Sequence, residues 1–305
     1  MKEWYGTNWG VVSEYDAIAI GKGSASIAKL FPSLKEASES QIDNYTLDEL
    51  KQYKLVVLSG FTYKDETAAE NLLLSLSRAG VRVVISADGI PEERGQKDEP
   101  FLGLTCNEIN FSQGYPILDT VNGEIDTYLF PKDHRQWATV FIEGLDEVRG
   151  SVRDPNYLLP FYGTVDNENL VVIGLNLIYY YSLTQDIGVR NLLSEAMNIS
   201  PFDLPKRSIC PLQTEYSNGK ITIRSEADNI NTTLAFHDMF TSDRPIISEN
   251  NLLYVNSGTT EISFDMSKMI AGAFCTAVSL ILMIVQSFNL YGLSDKRKDK
   301  GDLKE

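Results

Sequence analysis

Three short runs of Val, Ile and Leu, each followed by a helical stretch, constrain the fold of this chain more than any other feature. Tyr15–Ile20 (YDAIAI), Lys54–Ser59 (KLVVLS) and Val81–Ser86 (VRVVIS) are mostly apolar without alternation. A strand with one wet face alternates apolar and polar residues. A continuously apolar strand is buried on both faces, as in a parallel sheet layered between helices. Residues 21–31 after the first run read as helical. The stretch Asp65–Gly80 between the second and third is a strong amphipathic helix: Asp65 or Thr67 can cap its start and Gly80 stops it. Leu170–Asn176 (LVVIGLN) is a further buried strand, followed by helical residues 186–198. The expected fold is α/β, a parallel sheet covered on both faces.

Between Asn107 and Thr164 the runs are shorter and alternate (EINFS, EIDTYLF, WATVFIEGL), which predicts antiparallel strands at the sheet edge or a small subdomain. From about Lys206 the character changes again. GKITIRSEAD, TTLAFHDMF, PIISENNLLYVNSG and TEISFDM are short strands separated by Asn-Gly, Asp-Asn and Ser-Gly turns. They predict a small β-sandwich, with Asn198–Ser208 as the domain joint because it carries two prolines.

Met269–Ser294 contains no charged residue, and about 20 such residues cross a bilayer as a helix. Of 42 acidic and 27 basic residues, the part from Ser267 holds only 4 acidic but 6 basic, whereas the chain as a whole carries a net charge of −15. Lys296, Arg297, Lys298 and Lys300 follow the run directly. The positive-inside rule then places the tail in the cytoplasm and the acidic bulk outside. The start of the chain has no apolar export signal, so either the chain is tail-anchored with its bulk in the cytoplasm or upstream membrane helices are missing from it; the four clustered basic residues favour the second, a C-terminal piece of a larger polytopic protein. The expected divisions are 1–200, an α/β domain; 201–266, the β-sandwich; 267–294, a transmembrane helix; and 295–305, a basic tail. The expected partner is the lipid bilayer at Met269–Ser294, in a cell membrane with the bulk extracytoplasmic.

The charge argues against nucleic acid, whose phosphates need a basic surface. With two histidines far apart, His134 and His237, and three cysteines without CxxC spacing, no metal site is legible, and no cofactor is expected. GKGS (Gly21–Ser24) has the wrong order for a phosphate loop and reads as a strand-to-helix turn. Open α/β sheets place ligands at the carboxyl ends of their strands. Ser59, Ser86, Asp88 and Asn176 lie at such ends and form the candidate ligand pocket, with Asp88 otherwise a turn or cap residue. KDHRQW (Lys132–Trp137) reads as an exposed turn and His237 as a surface residue. The Asn-X-Ser/Thr triplets at Asn44, Asn110, Asn198 and Asn231 matter only in a secretory setting.

Glu99–Glu108 (EPFLGLTCNE) comes close to the nucleophile stretch P-x-L-G-x-C-x-G of class I glutamine amidotransferases. Cys106 stands one place late, and Asn107 and Glu108 follow where a Gly is needed for the tight elbow. At the family's G-x-Q-x-H-P-E stretch this chain reads Gly174–Tyr180, with Ile178 for the His and Tyr180 for the Glu. A thiol without a base is mostly protonated near neutral pH. Cys106 is then a packed residue, or a disulfide partner of Cys210 in an oxidising space.

The order KLVVLSGF, GVRVVIS, FLGL, WATVFIEGLD, LPFYGT and VVIGLNLIYYYSLTQD nevertheless resembles the non-catalytic class I glutamine amidotransferase-like (flavodoxin-like) domain. It is most similar to that of bacterial integral membrane proteins labelled 6-pyruvoyl-tetrahydropterin synthase-related, over about Asp16–Asn198. The pterin enzyme binds zinc through three histidines, which this chain lacks. The resemblance implies a non-catalytic extracytoplasmic binding or scaffolding module for an envelope glycan or a polytopic membrane partner. The alternative it implies is the accessory end of a membrane glycosyltransferase acting on lipid-linked sugars, with catalytic acids outside this chain.

Overall fold

The computed structural model describes residues 5–91, 100–111, 116–128, 137–153, 158–249, 251–265, 267, 270 and 274–284. The chain starts with β1 (Tyr5–Glu14), then runs through β2 (Ala17–Ile20), α1 (Ser24–Leu30), β3 (Leu34–Glu36), α2 (Leu47–Leu50), β4 (Leu55–Leu58), α3 (Glu66–Arg78) and β5 (Arg82–Ser86). β6 (Thr105–Phe111), β7 (Leu118–Thr120), β8 (Gly123–Ile125), β9 (Trp137–Glu143), β10 (Glu147–Arg153), β11 (Leu158–Val165) and β12 (Asn167–Ile173) follow, then α4 (Leu177–Thr184) and α5 (Ile187–Met197). The last strands are β13 (Lys206–Ser217), β14 (Lys220–Ser225), β15 (Ile230–Ala235), β16 (Phe240–Ser242), β17 (Ile247–Glu249), β18 (Leu252–Val255) and β19 (Gly258–Phe264).

These elements form two compact units, Glu14–Lys206 on one side and Met1–Ser13 with Arg207–Glu305 on the other. The first unit holds a nine-stranded sheet in the order β3-β2-β4-β5-β12-β11-β10-β7-β8. Its pairings are parallel from β3 to β12 and antiparallel from β12 to β8. Successive residues of the apolar strands go to opposite faces. Ala17, Leu55, Val57, Val84 and Val171 pack with Ile27 and Phe31 near α1 and with Val189, Leu192 and Leu193 of α5. Ile18, Val56, Leu58, Val83 and Val172 pack with Ala69, Leu73 and Leu76 of α3. The side chain of Asp65 caps α3 by accepting from the Ala68 N–H at 3.0 Å.

The expected parallel-sheet, flavodoxin-like α/β fold is corrected on this point. The chain is β-rich, with mixed and antiparallel sheets, and is not a glutamine amidotransferase-like fold. Beyond β12 the sheet is built from antiparallel neighbours, and β6 and β9 form a separate two-stranded antiparallel ribbon. The physical reason lies in the connections. A short link returns a strand antiparallel to its predecessor, and only a longer crossover makes it parallel. β11 passes to β12 through Asp166 alone, which takes a positive φ of 60°. Strands such as β10 (EVRGSVR) are too polar to advertise themselves as apolar runs.

The second unit corrects the expected small sandwich. Its eight strands hydrogen-bond in one order, β16-β19-β14-β13-β1-β15-β18-β17, so β1 at the start of the chain sits in a sheet otherwise made after residue 206. Register is fixed by turns such as Asn218-Gly219, which closes the β13–β14 hairpin with Ser217 opposite Lys220. Its core is small: Leu212, Ile223, Ile230, Leu253, Val255 and Ile262.

The expected transmembrane helix at Met269–Ser294 is also corrected. Among the described residues no helix is long and apolar enough to cross a membrane. Residues 274–284 are helical. An uncharged run is necessary for a span, but a continuous helix is also required. The orientation drawn from the positive-inside rule needs a span and loses its basis with it. Residues 268–269, 271–273 and 285–305, including the basic tail, lie outside the described residues.

Candidate functional site

The carboxyl ends of β2, β4 and β5 converge, and glycine lets their following loops touch. A Cβ on Gly21, which has φ +112°, would come within 2.2 Å of the Ser59 carbonyl oxygen, and one on Gly89 within 2.2 Å of the Gly60 nitrogen. Backbone meets backbone here, with no space for a methyl group. Ser59 is part of this contact: its carbonyl accepts from the Gly23 N–H at 3.0 Å, and its own N–H donates to the Ile20 carbonyl at 3.0 Å. Ser86 is buried and pairs with Ile173 in the sheet.

Of the four residues expected to line a pocket, the hydrogen bonding brings two together. The Asn176 N–H donates to Asp88 Oδ2 at 2.6 Å. The third partner is Thr139 of β9, whose hydroxyl donates to Asp88 Oδ1. Asp88 thereby ties the end of β5 to β9 and to the turn between β12 and α4. That turn is strained: Leu175 and Asn176 both take positive φ, 57° and 45°. A left-handed conformation costs about 1–2 kcal/mol for an ordinary L-residue, and a hydrogen bond to a charged group offsets about that much. The Leu175 N–H also donates to the Val140 carbonyl at 3.0 Å, so the ribbon holds the same turn. Asn176 starts α4, and a helix start is where an anionic ligand binds. Here the chain's own carboxylate bonds the Asn176 N–H at that position.

Burial raises the Asp88 carboxyl above its ordinary value, against the pull of its hydrogen bonds from Thr139 and Asn176. Cys106 does not stand on an elbow. It is the second residue of β6 and lies opposite Ile142 of β9. Burial, with the Asp88 charge adding to it, pushes its thiol up to about 11. Ile178 and Tyr180, in the positions where the amidotransferase pattern has His and Glu, are buried in α4. The Tyr180 hydroxyl donates to the Tyr128 carbonyl at 2.7 Å. Among the described residues this unit has no histidine: His237 lies in the other unit, and His134 falls with Lys132–Gln136 outside the described residues. Cys106 and Cys210 are both free and belong to different units. No group of metal ligands occurs among the described residues.

Sequence reasoning missed two features of this face. Thr139 reaches Asp88 from 51 positions away and carries no local signal. Trp137, two residues before it on β9, stacks on Tyr179 of α4 with ring centroids 5.1 Å apart and planes at 20°. Trp137 is buried and Tyr179 is 45% exposed, so the pair presents one backed aromatic ring to solvent.

Two measurements check this description. Because the Asp88 value is raised in the fold, its protonated form favours folding; the contribution is present below 3.8 and is lost as pH rises through the raised value. Asp88→Asn is therefore expected to gain stability relative to wild type between pH 4 and pH 7 in urea titrations, while Asp88→Ala loses about 2–3 kcal/mol at both by stranding two donors. A wild-type advantage over Asp88→Asn that grows with pH would contradict the sign. The Cys106 thiol is expected to alkylate at pH 8 on the order of a hundredfold more slowly than glutathione, followed by mass spectrometry of the native protein. Equal rates would mean the thiol is not shielded.

Comparison with curated proteins gives no match. A family model described as "Domain of unknown function (DUF8560)" matches residues 16–180. The match covers more than half of the chain and falls wholly within the Glu14–Lys206 unit, including Asp88, Thr139 and Asn176. The chain belongs to this family.

Proposed function

We propose that this chain is a non-catalytic binding module whose strand-end face takes a glycan. The observation that carries the reading is the Trp137–Tyr179 pair, an exposed ring backed by a buried one, beside the Asp88 carboxylate that is already bonded to Thr139 and Asn176. Sugar rings stack on such aromatic faces through their C–H groups, which need area and rigidity rather than charge. The neighbouring thiol, held protonated, supplies no nucleophile at neutral pH. Titrating the intrinsic fluorescence of the full chain with N-acetylchitohexaose and with soluble mannan is expected to give saturable quenching with at least one of them. Tyr179→Ala, which removes an exposed side chain, is expected to weaken it about tenfold. Quenching by neither sugar, or unchanged binding in folded Tyr179→Ala, would overturn the glycan reading.

A specific observation supports attachment of the module to a lipid surface. In the helical stretch 274–284, Phe274, Leu280, Ile281, Leu282 and Met283 are all more than half exposed. The sequence that follows adds Lys296, Arg297, Lys298 and Lys300, which suit an anionic headgroup layer. The proposed contact is with a lipid surface. The full chain is expected to float with vesicles of phosphatidylcholine and phosphatidylglycerol and to stay unbound when Leu280 and Ile284 are both changed to Glu. Flotation of the double variant to the same extent would overturn the attachment.

A further inference from the structure

We propose a peptide-binding site at the β3 edge of the nine-stranded sheet. There an extended segment of a partner protein adds a strand and places a tyrosine side chain, with an acidic residue beside it, in the adjoining cavity. The proposal goes beyond the glycan reading and does not rest on it. β3 ends the strand order, so among the described residues no strand pairs with its outer side. The Ala37 N–H, just past β3, donates to the Ala19 carbonyl of β2 at 2.9 Å. Alternate residues of a strand turn their N–H and C=O to opposite edges. Glu36 therefore turns both backbone groups outward, and no described residue bonds them. An open edge of this kind is what an added strand uses.

Beside this edge lies a cavity of about 330 Å³, walled by the Glu14–Lys206 unit alone. Residues 35–38 line it together with Ile18, Tyr45, Leu50 and Tyr53. The volume is at the small end of ligand sites and suits one large side chain. Tyr53 is only 9% exposed, yet its hydroxyl makes no hydrogen bond to a described residue. The hydroxyl is not sealed from solvent, and Tyr53 lines this cavity. A buried tyrosine ordinarily pairs its hydroxyl. The entering group must then fill an apolar space and also hydrogen-bond. A tyrosine side chain does both, since its ring is apolar and its hydroxyl both donates and accepts.

Strand alternation decides the charge. Lys35 lies opposite Ile18 in the ladder, so their side chains share the face on which Ile18 packs with Leu50. Glu36 lies opposite Ala19 and turns its side chain to the other face. Glu49 also lines the cavity, but its carboxylate accepts from the Thr46 N–H at 2.7 Å and from the Thr46 hydroxyl at 2.8 Å. Lys35 is exposed and has no carboxylate partner among the described residues. Its complement is an acidic residue two places from the tyrosine, which an extended peptide carries on the same face.

The test uses the full chain and the peptide Thr-Thr-Tyr-Thr-Glu-Thr with an N-terminal fluorescein, followed by fluorescence anisotropy. The expected result is saturable binding that is lost when the tyrosine and the residue after it are both N-methylated. Replacing the peptide's tyrosine by phenylalanine is expected to weaken binding about fivefold. Tyr53→Phe keeps the buried ring and removes only the hydroxyl. It is expected to weaken the tyrosine peptide about fivefold and to leave the phenylalanine peptide unchanged. Lys35→Glu, an exposed change, is expected to weaken binding, and a peptide with Lys in place of Glu to restore it. Four results would overturn the proposal: no saturable binding of the peptide, equal binding after N-methylation, equal loss of both peptides in folded Tyr53→Phe, or displacement by equimolar N-acetyltyrosinamide, which would mean a small-molecule pocket and no added strand.

Discussion

The bonds from Thr139 and Asn176 to the Asp88 carboxylate hold together three parts of the chain that sequence keeps far apart. Asp88 lies in the turn just after β5, β9 supplies Thr139, and the turn into α4 supplies the Asn176 N–H. Without an acceptor at this point, the consecutive left-handed residues Leu175 and Asn176 would lose a bond that offsets their conformational cost. The aromatic pair depends on the same clamp, since Trp137 precedes Thr139 on β9 and Tyr179 lies in the first turn of α4. A carboxylate at a strand end need not be chemical machinery. Here its oxygens are occupied, and the occupied state is what shapes the surface beside it.

The mixed sheet follows from the balance between buried strands and short links. β2, β4, β5 and β12 are apolar enough to be covered on both faces, and α1, α3 and α5 cover them. Each needs a neighbour on both edges, and β11 meets that need for β12 through a tight hairpin at Asp166. The glycine loops beyond β2, β4 and β5 pack backbone against backbone.

Much of the local structure was legible. The runs Ala17–Ile20, Leu55–Leu58 and Arg82–Ser86 are strands because β-branched and aliphatic residues follow one another without polar interruption. Asp65 caps α3 because its carboxylate reaches an N–H three residues on, a purely local relation. The absence of an intact Cys-His-Glu pattern was also local, since it needed only the residues at Cys106, Ile178 and Tyr180. Of the candidate pocket residues, one contact was legible. Asp88 and Asn176 do meet, but Ser59 is spent on backbone contact with the loop after β2, and Thr139 gave no sign of its role.

What the sequence determined by itself is the set of elements and their buried faces, because period, capping and turn chemistry act over a few residues. Only the tertiary structure decided how the strands run and which of them share a sheet. β1 joins strands that begin some two hundred residues later, and β10 and β11 turn the sheet antiparallel. Pairing of that kind depends on hydrogen bonds between segments remote in sequence and on where each loop has room to return. The same holds for the apolar run near the end of the chain: its composition fixed that it avoids water, and among the described residues no helix is long and apolar enough to cross a membrane.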